Sequence, residues 1–329
     1  MKSFWTELPK PIMALAPMAN VTDAAFRRVI AKYGKPDVLW TEFVSADGLC
    51  HPVARERLLP DLWFTAAERP IVAQLFSAHP DKMFKAAQLI QELKFDGLDI
   101  NMGCPDRSVE KQGSGAALIK TPKLARELIR AAKNGAPNLP ISVKTRLGYK
   151  QSALDNWLPE LLAEQPAVIT IHARTRDEMS KVAARWEEVA RAMQIRNSVK
   201  SSALIIGNGD LKDLADARAK VAISGADGAM LGRAIFGNPW LFADNQRSDL
   251  KEASRSDLKI RLSVLVEHTQ LFEELLGQIK SFNLMKKHYK TYLAGFGNKE
   301  LSLALMNTQN ATEVEQIVTD FLKVEKFSP

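Results

Sequence analysis

Cysteine is scarce, with only Cys50 and Cys104 in 329 residues and neither in a C-x-x-C pair. That excludes a disulfide framework and argues against a structural zinc site, so no metal is expected. No apolar run approaches the roughly 20 residues that span a bilayer. The opening MKSFWTELPKP lacks the apolar core of a secretion signal. The expectation is therefore a cytoplasmic protein with no membrane association. Repeats and low-complexity tracts are missing too. Neither sign of charge dominates: a net +7 and a pI near 9.3 permit a polyanionic partner without requiring one.

What the chain does have is an alternation of short apolar runs and longer amphipathic stretches. Eight strand-like runs stand out: 12–17, 38–44, 71–76, 97–101, 141–145, 168–172, 203–207 and 228–231. They are nearly continuous in apolar residues, as in parallel strands covered on both faces. Helical patterns fall between them at 22–33, 80–93, 121–133, 154–164 and 211–224. Asp23, His79-Pro80-Asp81 and Thr121-Pro122 supply start signals. Eight β/α units in this length predict an α/β fold, a (β/α)8 TIM barrel. A doubly wound sheet is the alternative, but the first strand ends in Pro17-Met18-Ala19-Asn20 rather than a glycine-rich turn. Beyond a polar stretch at 243–257, apolar residues recur at helical spacing. The expected division is a barrel over 1–244 and a small C-terminal α-helical domain over 245–329.

In a barrel of this kind the C-terminal ends of the strands converge on one face. Gln74, Asn101, Lys144, His172, Asn208 and Arg233 all fall at such ends. The loops after the seventh and eighth strands carry Asn208-Gly209-Asp210 and Gly232-Arg233. Loops there often bind a phosphate through backbone N–H groups, and glycine lets the backbone approach closely. Two ordinary β/α turns would look the same. The stretch Gly97–Lys120 delivers Asn101 and Cys104 into a loop flanked by Gly103, Gly113 and Gly115. By itself Cys104 could be one more small residue at a turn.

Asn101–Asp106 (NMGCPD), followed by Lys111–Leu118 (KQGSGAAL), resembles the active-site segment of the tRNA-dihydrouridine synthases, flavin enzymes that reduce uridines in tRNA. Five further segments resemble that family in the family's order: Ala16–Arg28, Val143–Gly148, Ile171–Arg176, Ile206–Asp210 and Gly225–Phe242. The resemblance implies FMN as cofactor, NADPH as reductant and tRNA as substrate and partner. It implies flavin contacts from Pro17, Met18, Ala19, Gln74, Lys144 and His172, with the FMN phosphate at Asn208, Gly209, Asp210, Gly232 and Arg233. Cys104 matches the family's proton donor to uracil C5, with hydride passing from flavin N5 to C6. Asn101 matches a residue that holds the uracil edge.

Arg174 and Arg176, with Arg146 and Lys150, are assigned to tRNA, and solvated loop charge is the other reading. Met285–Gly297 (MKKHYKTYLAGFG) looks like the family's tRNA-binding helices, although its cluster of Lys286, Lys287, His288 and Lys290 would also suit a solvated face. One departure stands out: Asp177–Trp186 (DEMSKVAARW) lacks the Tyr and Gly that relatives often carry before the Trp. A monomer is expected. Two rival functions stay open: an FMN-dependent oxidoreductase of the dihydroorotate or enoate type acting on a small molecule, and a tRNA-binding protein with dispensable chemistry.

Overall fold

A computed structural model describes residues 3–243 and 257–325. Its centre is a parallel sheet of eight strands: β1 (Ile12–Leu15), β2 (Leu39–Ser45), β3 (Ile71–Phe76), β4 (Gly97–Met102), β5 (Ile141–Arg146), β6 (Val168–His172), β7 (Leu204–Asn208) and β8 (Gly228–Leu231). The order β1-β8-β7-β6-β5-β4-β3-β2 runs once round. A bridge between Ala14 and Val38, with Leu15 N donating to Val38 O at 3.4 Å, joins the two ends. This is the expected TIM barrel.

The strands form where they do because their apolar residues have both faces to bury. Trp5, Ile12, Ala14, Trp40, Val72, Val168, Ile206 and Met230 form one buried cluster. Three aspartates placed just ahead of strands secure the N-terminal rim, each accepting from an N–H on the neighbouring strand. Asp37 takes Met13 N at 2.7 Å, Asp96 takes Ile71 N at 2.8 Å, and Asp227 takes Ile205 N at 3.0 Å. The strands are pinned at the end away from the polar residues.

By contacts the described residues gather in two compact units: 3–19, 37–63 and 69–232 form one, and 20–36, 64–68, 233–243 and 257–325 the other. The boundary expected at 244/245 lies outside the described residues. The second unit holds the helices Ala24–Tyr33, Leu258–Leu276, Lys286–Tyr292, Lys299–Asn307 and Ala311–Glu325. Its core includes Val29, Trp240, Leu265, Phe272, Tyr289 and Val314. It also contains a fully buried ion pair, with Arg27 Nε donating to Glu68 at 2.8 Å.

The segment Met285–Gly297 contributes more to this core than the charge pattern suggests. His288, Tyr289 and Tyr292 are all buried, leaving Lys290 exposed. His288 is therefore not part of a solvated basic face. Its ring lies 4.8 Å from that of His268, which is also buried, and burial pushes both imidazoles far below their ordinary pKa, His268 down to about 3. Among the described residues no helix is long and apolar enough to cross a membrane.

Candidate active site

At the C-terminal ends of the strands lies a cavity of about 200 Å³. Of the expected residues, Pro17, Gln74, Asn101, Cys104, Lys144 and His172 line it, joined by Phe43 and Arg146. The β/α order explains this: each strand ends on the same face, so the first polar residue after each apolar run arrives there.

Cys104 sits on a loop held from several sides. Asn101 Oδ1 accepts from Gly103 N at 3.1 Å and from Cys104 N at 2.9 Å. The Cys104 carbonyl accepts from Ala116 N at 2.9 Å. Gly115 makes that return possible, because its φ is +61° and a Cβ there would lie 2.7 Å from the Cys104 oxygen. Arg146 Nε donates to Gly103 O at 2.8 Å. Farther along the loop, Glu110 accepts from Arg176 Nε at 2.8 Å.

Below the loop runs a chain of hydrogen bonds that ends on a buried carboxylate. Asn101 Nδ2 donates to Gln74 Oε1 at 3.0 Å, and Gln74 Nε2 to Asp99 Oδ2 at 2.6 Å. Asp99 Oδ1 accepts from Ser142 Oγ at 2.5 Å. An amide has four hydrogen-bonding sites. Asn101 commits its oxygen twice and one N–H to the protein, so it can offer the cavity a single N–H. The residue expected to hold a substrate edge thus also positions the cysteine loop.

Burial raises the Cys104 thiol above its ordinary range, with Lys144 and Arg146 pulling the other way. The sulfur is therefore a thiol at neutral pH, a proton carrier rather than a nucleophilic thiolate. Burial, reinforced by Arg146, pushes Lys144 down to about 8, against the attraction of Asp99. Lys144 Nζ lies 3.4 Å from Asn208 Oδ1, whose amide donates to Met230 O at 2.6 Å. Burial likewise raises Asp99 to about 6.

The other expected residues lie outside this lining. Met18 is half-buried and Ala19 exposed, and a Cβ on Gly232 would meet Met18 Sδ only at 3.9 Å, so space remains beside that glycine. Gly209 takes φ +129°, a conformation suited to glycine. Arg233 opens the second unit. Asp210 turns its carboxylate to Arg174 and to Ala184 N, the latter at 2.9 Å. Arg174 is 3% exposed and each of its three guanidinium nitrogens has a protein partner, which does not suit the direct RNA contact assigned to it. Arg176 is paired with Glu110, while its guanidinium carbon lies 5.4 Å from the Tyr149 ring centroid.

A family model for dihydrouridine synthases matches residues 14–327. The chain belongs to the dihydrouridine synthase family. It is 41% identical over 323 residues to a probable tRNA-dihydrouridine synthase 2 of Bacillus subtilis (strain 168), covering 97% of each chain. It is 36% identical over 322 residues to a probable tRNA-dihydrouridine synthase of Staphylococcus aureus (strain COL), covering 97% of this chain and 96% of that one. The solved structure of TcOYE with pHBA is similar in fold, with a TM-score of 0.51 at 12% identity over 72% of this chain and 89% of that one.

Membership makes this dihydrouridine synthase a flavin-dependent oxidoreductase. The cavity suits such a cofactor: it combines a cation, Lys144, with amide N–H donors on Gln74 and Asn101. A reduced flavin gathers negative charge on its pyrimidine ring, which a nearby cation favours. Asp99 was not foreseen. It reads as one acidic interruption in an apolar strand, and its meaning depends on Gln74 and Ser142, 25 and 43 residues away. Arg146 was foreseen only as a loop cation, yet it is 7% exposed and bonds three backbone carbonyls, those of Gly103, Thr175 and Met179.

Proposed function

We propose that this dihydrouridine synthase saturates the C5–C6 bond of uridine in tRNA, with FMN as cofactor and NADPH as the reductant. Bound reduced FMN supplies the hydride that uracil C6 receives. Cys104 gives its thiol proton to C5. The observation that carries this role is the place of Cys104 in the cavity wall with its backbone N–H and carbonyl both bonded, and burial, which raises the thiol, supports it. General acid catalysis of this kind contributes about 10²–10⁴-fold.

Lys144 places positive charge beside the reacting ring system. Gln74 and the remaining Asn101 N–H orient carbonyl groups within the cavity. His172 and Pro17 complete the wall. The backbone at Asn208, Gly209, Asp210 and Gly232, with Met18, Ala19 and Arg233, holds the rest of the FMN. The target base must leave its stack to reach such a cavity. Arg176 and Lys150 contact the RNA, and the helical part beyond the barrel helps grip tRNA. The enzyme works as a cytoplasmic monomer without a metal.

Purified enzyme, NADPH and tRNA transcribed without modifications test the proposal. Dihydrouridine should accumulate at defined positions, and Cys104→Ala should lower its rate by about 10²–10⁴-fold while leaving flavin content unchanged. Full turnover in that variant would remove Cys104 as the acid. Reduction of a small enoate or dihydropyrimidine in place of RNA would favour a small-molecule oxidoreductase.

A further inference from the structure

Arg174 and His172 are two residues apart at the end of β6, and their side chains meet. Arg174 Nη1 lies 3.2 Å from His172 Nε2. A guanidinium has five N–H donors and no acceptor, and it stays charged at any ordinary pH. His172 Nε2 must therefore be the acceptor, and so unprotonated. A cationic imidazole would set two N–H groups against each other. The ring consistent with this contact is neutral, with its proton on Nδ1.

The arginine cannot easily turn away. Its Nε donates to Val182 O at 2.6 Å, and its Nη2 donates to Asp210 Oδ2. Asp210 is anchored in turn: Oδ2 also accepts from Ala184 N at 2.9 Å, and its backbone oxygen accepts from Lys220 Nζ at 2.7 Å. Gly209 leaves room for the ring, since a Cβ there would lie 3.3 Å from His172 Cδ2 and 2.8 Å from the Ala184 Cβ.

We propose that Arg174 is a positioning residue that fixes the tautomer and orientation of His172, with Asp210 holding Arg174 in place. This redirects two residues: Arg174 acts inward on the cavity wall instead of on RNA, and the Asp210 carboxylate serves the arginine. The consequence for catalysis rests on the reading of the cavity as the flavin and uridine site, whereas the tautomer itself does not. His172 thereby carries its N–H on Nδ1, beside the two cations, Lys144 and Arg146, that line the same cavity.

The test is a long-range ¹H–¹⁵N correlation spectrum of the flavin-loaded, histidine-¹⁵N-labelled enzyme at pH 7. The chain has five histidines, and His172→Gln identifies the signal in question. The wild type should show His172 protonated on Nδ1 only. Arg174→Met should convert it to the Nε2–H form or a mixture, and Arg174→Lys should retain some Nδ1–H form. A wild-type ring protonated on Nε2 would overturn the proposal, and that result needs no variant to fold. So would an unchanged tautomer in a folded Arg174→Met enzyme.

Kinetics separate this from RNA binding. Arg174→Met should lower kcat for dihydrouridine formation by roughly 10–100-fold, as misplacement of a cavity wall does, with KM for tRNA unchanged. A raised KM at constant kcat would return Arg174 to substrate contact. If the enzyme reduced no uridine at all, the functional reading would fail while the tautomer result still stood.

Discussion

Cys104 and Lys144 share a cavity yet are tuned in opposite directions. Burial disfavours whichever form is charged, so it raises the thiol and lowers the ammonium. At pH 7 the pair is therefore a neutral acid beside a cation. Because the thiol lies above its ordinary range, activity should fall at alkaline pH with Lys144, near 8, before Cys104 ionises. A pH–rate profile checks this, and a plateau extending to pH 10 would contradict it. Asp99 helps hold the Lys144 charge, so Asp99→Asn should move that limb to lower pH.

Asp99 also makes a stability prediction of definite sign. Its folded pKa, about 6, lies above the unfolded value near 3.9. The native state is favoured fully below the unfolded pKa, and that advantage is lost as pH rises through 6. Asp99→Asn can keep both contacts, because the Ser142 hydroxyl can turn to accept. The variant should gain stability over the wild type as pH rises from 4 to 7, by roughly 2 kcal/mol in all. Urea unfolding at the two pH values measures it, and a constant difference between the proteins would refute the assignment.

Among the elements, the strands were the most legible in the sequence. A parallel strand covered on both faces must be a short apolar run, and all eight runs are strands, displaced by two residues at most at either end. The first stops at Leu15, ahead of Pro17, which has no N–H to donate. The helix Trp186–Ser198 was harder to see, because it buries only Trp186, Val189, Ala192 and Ile195 within a highly charged stretch. Strand-end residues were legible because topology alone brings them together. Arg174 and Asp99 were not, since nothing in a linear sequence distinguishes a buried, partnered charge from a solvated one.

The helical unit carries its own sensitivities. Glu68 accepts from Arg27 Nε at 2.8 Å and from Thr65 N at 2.8 Å, and both side chains of the ion pair are fully buried. Glu68→Ala should cost about 3–5 kcal/mol by leaving a buried cation without its partner. Replacing both members with apolar residues should recover most of the loss, as judged by thermal unfolding. His268 and His288 are held neutral in the folded state, below the unfolded pKa near 6.5. Their stabilising contribution is present above pH 6.5 and is lost as pH falls below it, by about 1.4 kcal/mol per pH unit for each ring. His268→Phe should flatten that slope in unfolding titrations between pH 7 and 5. An unchanged slope would show that the rings are not buried neutral.

At the scale of the whole molecule, the barrel presents the Cys104 thiol and two cations, Lys144 and Arg146, at a cavity of about 200 Å³. The substrate is far larger than that cavity. The rest of the RNA must therefore lie outside it. Electron transfer to RNA is thus the behaviour that separates this enzyme from barrels of similar fold acting on small molecules. The direct test is to reduce the flavin-loaded enzyme anaerobically with NADPH, remove the excess, and add tRNA lacking dihydrouridine while recording the visible flavin spectrum. The account predicts that the oxidised flavin band returns as dihydrouridine forms in equal amount. A flavin that stays reduced in the presence of that tRNA would contradict it.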